Sequence, residues 1–252
     1  MRTFFKNPGA KAKSAARILP LFPDHVCYVE PFCGAASFFF NKQRSQVEVL
    51  NDSDCEIFNA FNCVRLHFDA VQQELHLAIN SRVHFHAWRN QENLTDIQRA
   101  ARFIYVRALS FGGAGRTFGV VKCNAGGSNT NLGAIETLML NAHSRLQGVN
   151  IEKKDWRDCI ATYDKDTTFF YCDPPYIGVK PETYAPWTEK DLAELAGRLR
   201  GLAGRFILSF NDGPWVKKFL RGFRVKHFSR PRGIKTGKIY REILAMNFLP
   251  NA

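Results

Sequence analysis

The sequence lacks the cysteine spacings that hold zinc or frame a disulfide-rich domain. It has seven cysteines, an odd number, and no Cys-x-x-Cys pair. We therefore expect reduced, mostly buried thiols and no metal site. The chain also has no apolar run near the roughly 18 residues that a membrane helix needs, and no signal-peptide hydrophobic region at its start. These absences predict a soluble, cytoplasmic chain.

Acidic residues are also scarce, because 23 Asp and Glu stand against 35 Lys and Arg, for a net charge of +12. That excess favours a polyanionic partner, and nucleic acid is the partner class that we expect. A length of 252 residues with 45% apolar composition fits one α/β domain, with or without an insertion.

The tetrapeptide Asp173-Pro174-Pro175-Tyr176 follows an apolar run, 167–171, that predicts a buried strand. Two prolines must end that strand, at the sheet edge where open α/β folds bind ligands. The Asp173 carboxylate and the Pro174 carbonyl are adjacent acceptors that suit an exocyclic amine, and Tyr176 could stack on the base that carries it. A strand-ending turn with a capping Asp is the alternative.

A second motif lies near the start of the chain. A predicted strand, 26–30, leads into Pro31-Phe32-Cys33-Gly34-Ala35-Ala36-Ser37, and we expect an apolar helix to follow as far as Asn41. This arrangement predicts a nucleotide-type pocket, and a packing loop without a ligand is the alternative. The next strand leads to Asp52, 22 positions after Glu30. In nucleotide-binding βαβ units, an acidic residue about 20 positions further along the chain reaches a ribose hydroxyl. The alternative role for Asp52 is to cap a helix.

The middle of the chain has a helical pattern. Apolar residues recur at helical spacing through 64–79, 97–109 and 132–146, so we expect a helical insertion. A glycine-rich loop, 110–119, contains Arg116, which could contact a phosphate or a guanine.

Three later segments carry further candidates. Asp155 and Trp156 follow a short predicted strand, and the alternative role for Asp155 is to cap a helix. Tyr184 could cover an extruded base or simply pack its loop. Ten Lys or Arg and no acid occur between 213 and 241, which predicts a basic hairpin tip that clamps phosphates.

Asp-Pro-Pro-Tyr resembles the catalytic motif of amino-methyltransferases that act on DNA. The order of segments from Phe5 to about Phe248 resembles the Dam-like N6-adenine-specific DNA methyltransferase family. The resemblance implies a Rossmann-like, S-adenosylmethionine-dependent methyltransferase fold of the α/β class, with a mainly parallel sheet. It also implies a catalytic domain of residues 1–64 and 147–252, with a helical target-recognition insertion at 65–146.

The resemblance further implies roles for individual residues. Pro-Gly-Ala-Lys near the start is similar to a cofactor-holding segment of the family, and a basic solvated arm is the alternative. The implied S-adenosylmethionine contacts are Lys6, Lys11, Glu30, Pro31, Phe32, Gly34, Asp52, Asp155, Trp156 and Asp173. The implied catalytic residues are Asp173, Pro174, Pro175 and Tyr176. The implied DNA contacts are Arg116, Asn124, Tyr184, Arg232, Lys235 and Lys238.

The implied reaction is direct transfer of a methyl group to N6 of a flipped adenine in DNA, with no metal and no protein partner, in a bacterial or phage-infected cell. Two alternatives stay open at the level of sequence. Cytosine presents a similar amine, so an N4-cytosine enzyme is one alternative. A non-catalytic DNA-binding relative is the other, since Asn7, Ala10 and Ala36 depart from the family pattern around the cofactor.

Overall fold

A computed structural model describes residues 2–8, 11–119, 132–178, 186–231 and 239–250. The chain divides into two compact units. The first contains Met1–Arg17, Gly34–Gln43 and Cys55–Lys153, and the second contains Ile18–Cys33, Arg44–Asp54 and Lys154–Ala252. Among the described residues the helices are α1 Ala12–Ile18, α2 Cys55–Leu66, α3 Phe68–His76, α4 Arg82–Arg89, α5 Asp96–Leu109, α6 Leu132–Leu146, α7 Trp156–Tyr163, α8 Glu189–Arg200 and α9 Pro214–Phe219.

The second unit contains one mostly parallel sheet, and the described ranges have seven strands in all. These are β1 Cys27–Glu30, β2 Val47–Asn51, β3 Asn150–Glu152, β4 Thr168–Cys172, β5 Arg205–Asn211, β6 Arg224–Pro231 and β7 Ile239–Met246. The six strands of the second unit have the order β2-β1-β4-β5-β7-β6. The first four of these are parallel, whereas β7 is antiparallel to both β5 and β6. The predicted mixed α/β fold with a mainly parallel sheet is confirmed.

The centre of the second unit is built on β4, whose five residues, Thr-Phe-Phe-Tyr-Cys, are all buried. A strand buried on both faces reads as a continuous apolar run, which is why the sequence pattern predicted it. Helix α8 packs Leu192, Leu195 and Leu199 into the same core. A reciprocal capping box between Thr188 and Asp191 starts this helix.

The first unit is mainly helical. Its longest helices are α5 and α6, and the apolar periodicity that predicted helices in this region is confirmed, although α4 was not expected. Helix α5 begins with a capping box between Thr95 and Gln98. An edge-to-face aromatic cluster joins Phe5 to Phe61 of α2 and Phe103 of α5, so the N-terminal segment is anchored on these two helices. The predicted domain boundaries at 64/65 and 146/147 stay predictions.

The prediction of an apolar helix up to Asn41 is wrong, because residues 38–41 form hydrogen-bonded turns instead. Phe38, Phe39 and Phe40 are consecutive and all at most 4% exposed. A helix on the surface of a core would turn at least one of three consecutive side chains toward water, whereas irregular turns bury all of them. Within the described ranges, no helix combines the length and the apolar character needed to cross a membrane.

Candidate functional site

The carboxyl ends of the parallel strands in the second unit carry a row of polar residues. Strand β1 ends at Glu30, Asp52 follows β2, Asp173 follows β4, and β5 ends at Asn211. The register pairs Glu30 with Leu50 and Cys172 with Leu208, so these strands end at one edge. The structure therefore brings Glu30, Asp52 and Asp173 to the same sheet edge, where open α/β sheets bind ligands.

The turn after β4 is made of Asp173, Pro174, Pro175 and Tyr176. Pro174 is buried, and the other three are half-buried. Neither proline has an amide hydrogen, so Pro174 presents a carbonyl acceptor next to the Asp173 carboxylate without an adjacent backbone donor. The Tyr176 ring packs edge-to-face on Phe210, with 5.4 Å between the ring centroids. This turn can accept hydrogen bonds from an amine.

Glu30 is buried, at 2% exposure, and its Oε1 accepts a hydrogen bond from the Tyr28 hydroxyl at 2.8 Å. Burial, together with the Glu30 carboxylate, holds the pKa of Tyr28 well above its usual value. Burial and then the Asp52 and Glu30 carboxylates raise the pKa of the Cys33 thiol. The two carboxylates thus act on the same loop, 31–33.

Asp52 has one structural role in the loop after β2. Its Oδ1 accepts a hydrogen bond from the Asp54 N–H at 3.0 Å, which orders the residues before α2. The side chain is half-buried, and a carboxylate has capacity for more than one donor. Its predicted contact with a ribose stays a prediction.

Asp155 caps α7, as the alternative interpretation held. Its Oδ1 accepts from the Arg157 N–H at 2.8 Å, and its Oδ2 pairs with the Arg157 guanidinium at 3.1 Å. Arg157 also pairs with Glu194, which raises the pKa of Arg157 and lowers that of Glu194. The Arg157 guanidinium lies 4.4 Å from the centroid of the Trp156 ring, and Trp156 is 7% exposed as a residue. The Asp155 carboxylate is therefore held in one orientation next to an aromatic ring.

Sequence reasoning missed Trp187 as a site residue. Its ring lies edge-on to Phe32, with centroids 5.7 Å apart, and 6.1 Å from the centroid of Trp156. Phe32 and Trp156 are themselves 5.9 Å apart. The buried Trp187 Nε1 has no hydrogen-bond partner among the described residues. Leaving such a donor unpaired costs about 1–3 kcal/mol, which favours a ligand acceptor at this position.

Asn51 was also missed as a site residue, although it directly precedes Asp52. Its buried side chain hydrogen-bonds the backbone of Pro31 and of Lys154. The only local signal for Asn51 is its position at the end of a predicted strand. The sequence cannot show that one amide joins the loops after two different strands.

The remaining predicted residues that the structure describes lie in the first unit. Lys6 Nζ donates to the Ala108 carbonyl at 3.0 Å, and Lys11 is buried at 3% exposure. Gly34 has φ +48°, and a Cβ there would lie 3.0 Å from Asn7 Nδ2. Arg116 is exposed, and its carbonyl accepts from the Arg89 guanidinium at 2.7 Å.

Five predicted DNA contacts lie outside the described residues: Asn124, Tyr184, Arg232, Lys235 and Lys238. The strands that flank three of them are described. Strand β6 ends at Pro231, which pairs with Ile239, the first residue of β7. Along β7, Ile239 lies past the carboxyl end of β5, where Asn211 pairs with Glu242. The two predicted hairpin strands are thus confirmed, and their ends at Pro231 and Ile239 lie at the edge that carries the Asp173 turn.

Comparisons with known proteins identify the family of this chain. The model of the D12 class N6 adenine-specific DNA methyltransferase family matches residues 8–209. A DNA adenine methylase of Haemophilus influenzae is 26% identical over 253 residues, covering 92% of this chain and 87% of that protein. The type II methyltransferase M1.LlaDCHI of Lactococcus lactis subsp. cremoris is 24% identical over 275 residues, covering 98% of this chain and 96% of that protein.

A DNA adenine methylase of Escherichia coli K12 is 27% identical over 188 residues, covering 69% of this chain and 65% of that protein. The matched residues of the family model include the β1 loop, Asp52 and the Asp173 turn. Because that match extends over most of the sequence, the chain belongs to the D12 class N6 adenine-specific DNA methyltransferase family.

Proposed function

We propose that S-adenosylmethionine is the methyl donor of this adenine-specific DNA methyltransferase and that it binds at the carboxyl edge of β1, β2 and β4. The rings of Phe32, Trp156 and Trp187 offer apolar surface for an adenine ring, and the Trp187 N–H, which has no partner among the described residues, offers a donor. The Asp52 carboxylate follows β2 at the position from which an acid can accept from ribose hydroxyls. These residues fit a nucleoside cofactor.

The remaining cofactor assignments belong to the same proposal. Glu30 and Pro31 would shape the loop under the cofactor, and Asp155 would line its far side. Lys6, Lys11 and Gly34, in the first unit, stay predicted contacts of the cofactor segment. When bound, S-adenosylmethionine supplies an electrophilic methyl group on its sulfonium.

The single observation that carries the proposed mechanism is the turn of Asp173, Pro174, Pro175 and Tyr176 at the end of a buried central strand. Asp173 and the Pro174 carbonyl would accept both hydrogens of the adenine N6 amine, which directs its lone pair out of the ring plane. Pro175 stiffens the turn, and Tyr176 would stack on the base. The work of the site is therefore to position the amine.

In duplex DNA, the target base must leave the base stack, which costs roughly a few kcal/mol of unstacking and unpairing free energy. Stacking on Tyr176 and hydrogen bonds to the turn would offset that cost. Arg116 and Asn124 of the helical insertion and Tyr184 would contact the DNA around the target. Arg232, Lys235 and Lys238 would neutralise phosphates beside the catalytic edge.

The sequence leaves two alternatives open, an N4-cytosine enzyme and a non-catalytic relative. The family match and the DNA adenine methylases among the relatives do not favour either of them. We also propose that the protein acts in the cytoplasm and without a protein partner.

The test is nucleoside mass spectrometry of unmethylated DNA incubated with the protein and isotope-labelled S-adenosylmethionine. Labelled N6-methyladenine should form with the native chain and disappear with Asp173→Ala, while the affinity for the cofactor stays nearly unchanged. The matched control is Asp166→Ala, an exposed Asp that precedes the same strand, and it should retain activity. Labelled N4-methylcytosine, or no labelled base while DNA still binds, would overturn the proposal.

A further inference from the structure

Two residues that have no assigned role lie side by side below the catalytic turn. Asn211 and Glu242 are direct partners in the antiparallel pair of β5 and β7. Glu242 is 5% exposed, and Asn211 is half-buried. Directly opposed residues of an antiparallel pair project to the same face of the sheet. Their side chains therefore act on one region.

Both side chains contact consecutive residues at the end of the turn. Glu242 Oε1 accepts a hydrogen bond from the Tyr176 hydroxyl at 3.4 Å. Asn211 Nδ2 donates to the carbonyl of Ile177, the next residue, at 3.2 Å. One partner holds the far end of the aromatic side chain, and the other holds the backbone that follows it.

We propose that Glu242 and Asn211 are positioning residues that set the orientation of the Tyr176 ring on the target base. This inference rests on the proposed function, in which Tyr176 stacks on adenine. A stacking ring must present its face in one plane, and two side-chain torsions decide that plane. Phe210 packs against the ring at an interplanar angle of 64°, and the hydroxyl anchor restricts the remaining rotation.

The nature of Glu242 supports this role. A buried carboxylate is costly unless it accepts hydrogen bonds, and an apolar residue at a strand position would avoid that cost. Glu242 accepts from the hydroxyl of a residue whose ring the reaction needs. Fixing the ring before the substrate binds lowers the entropic cost of ordering that ring during binding.

The experiment is a double-mutant cycle on Tyr176→Phe and Glu242→Leu, read as single-turnover methyl transfer from labelled S-adenosylmethionine to unmethylated DNA. Each single variant should slow transfer roughly tenfold to a hundredfold, as expected for a hydrogen bond to a charged group. The double variant should be no slower than the slower single variant. Glu242→Gln, which keeps an acceptor, should restore the rate to within about threefold. The affinity for S-adenosylmethionine should not change.

The matched control is Glu48→Leu, because Glu48 is another buried carboxylate of the same sheet, near the amino end of β2. It should lower thermal stability and leave the transfer rate unchanged. If Glu242→Leu does not fold, a double-mutant cycle of Tyr176→Phe with Asn211→Ala provides the same comparison. Independent, multiplicative losses from Tyr176→Phe and Glu242→Leu would overturn the inference. No transfer by the native chain would instead overturn the proposed function itself.

Discussion

Asn51 and Lys154 form a two-way hydrogen bond, although they are 103 positions apart. Asn51 Nδ2 donates to the Lys154 carbonyl at 3.1 Å, and Asn51 Oδ1 accepts from the Lys154 N–H at 2.8 Å. The same amide donates to the Pro31 carbonyl at 2.9 Å. One fully buried side chain therefore holds the segment after Glu30 and the segment before Asp155.

Asn51→Leu should destabilise the chain and weaken cofactor binding together. The change removes three hydrogen bonds and leaves backbone groups without this partner, at about 1–3 kcal/mol in the free energy of unfolding. Urea denaturation and calorimetric titration with S-adenosylmethionine measure the two effects. Asn247→Leu is the control, since Asn247 bonds the backbone of Gly204 and Phe206 near the opposite sheet edge. It should reduce stability alone, and a cofactor affinity lost equally in both variants would contradict the role of Asn51.

Asp52→Ala should weaken the binding of S-adenosylmethionine by roughly tenfold to a hundredfold, because hydrogen bonds from ribose hydroxyls to a charged acceptor are lost. Asp52→Asn keeps an acceptor for the Asp54 N–H and should fall between Ala and the native residue. Calorimetry provides the dissociation constants. Asp54→Ala removes an equal charge two positions away, and the idea fails if its loss of affinity matches that of Asp52→Ala.

Gly34→Ala should lower stability by roughly 1–2 kcal/mol. The backbone there has φ +48°, and a new Cβ would lie 3.0 Å from Asn7 Nδ2, so the change is strained in both conformation and space. Gly197→Ala is the same substitution inside α8, where nothing lies within 4 Å of the added Cβ. It should raise stability by about 0.5–1 kcal/mol. Midpoints of urea denaturation for the two variants should move in opposite directions.

Neutralising Arg232, Lys235 and Lys238 together should weaken DNA binding at every sequence and flatten its dependence on salt. Each phosphate contact contributes a slope of about 0.9 in log affinity against log salt. Titrations at several salt concentrations measure that slope. The control neutralises Lys165 and Arg205, which are exposed near the amino ends of β4 and β5, and should leave the slope unchanged. Altered sequence preference with an unchanged slope would show that the triplet reads bases.

Local chemistry made much of the fold predictable. Pro174 and Pro175 cannot continue a ladder, so the end of β4 and the place of the turn followed from two residues. Helix α5 spans Asp96–Leu109, within one residue of the predicted helical run 97–109, because its apolar residues recur at helical spacing. The run from Phe38 to Phe40 misled the prediction, since three apolar residues in a row do not distinguish a helix from buried turns.

The sequence by itself determined the Asp173 turn, the buried strand before it and the basic character of the hairpin, because each depends on neighbouring residues in the chain. Only the tertiary structure decided that Asn51 joins two loops, that Trp187 meets Phe32 and Trp156, and that Glu242 holds Tyr176. Those contacts depend on which strands become neighbours and which side chains share a face. Hydrogen-bond partners far apart in the chain leave no periodic pattern in it.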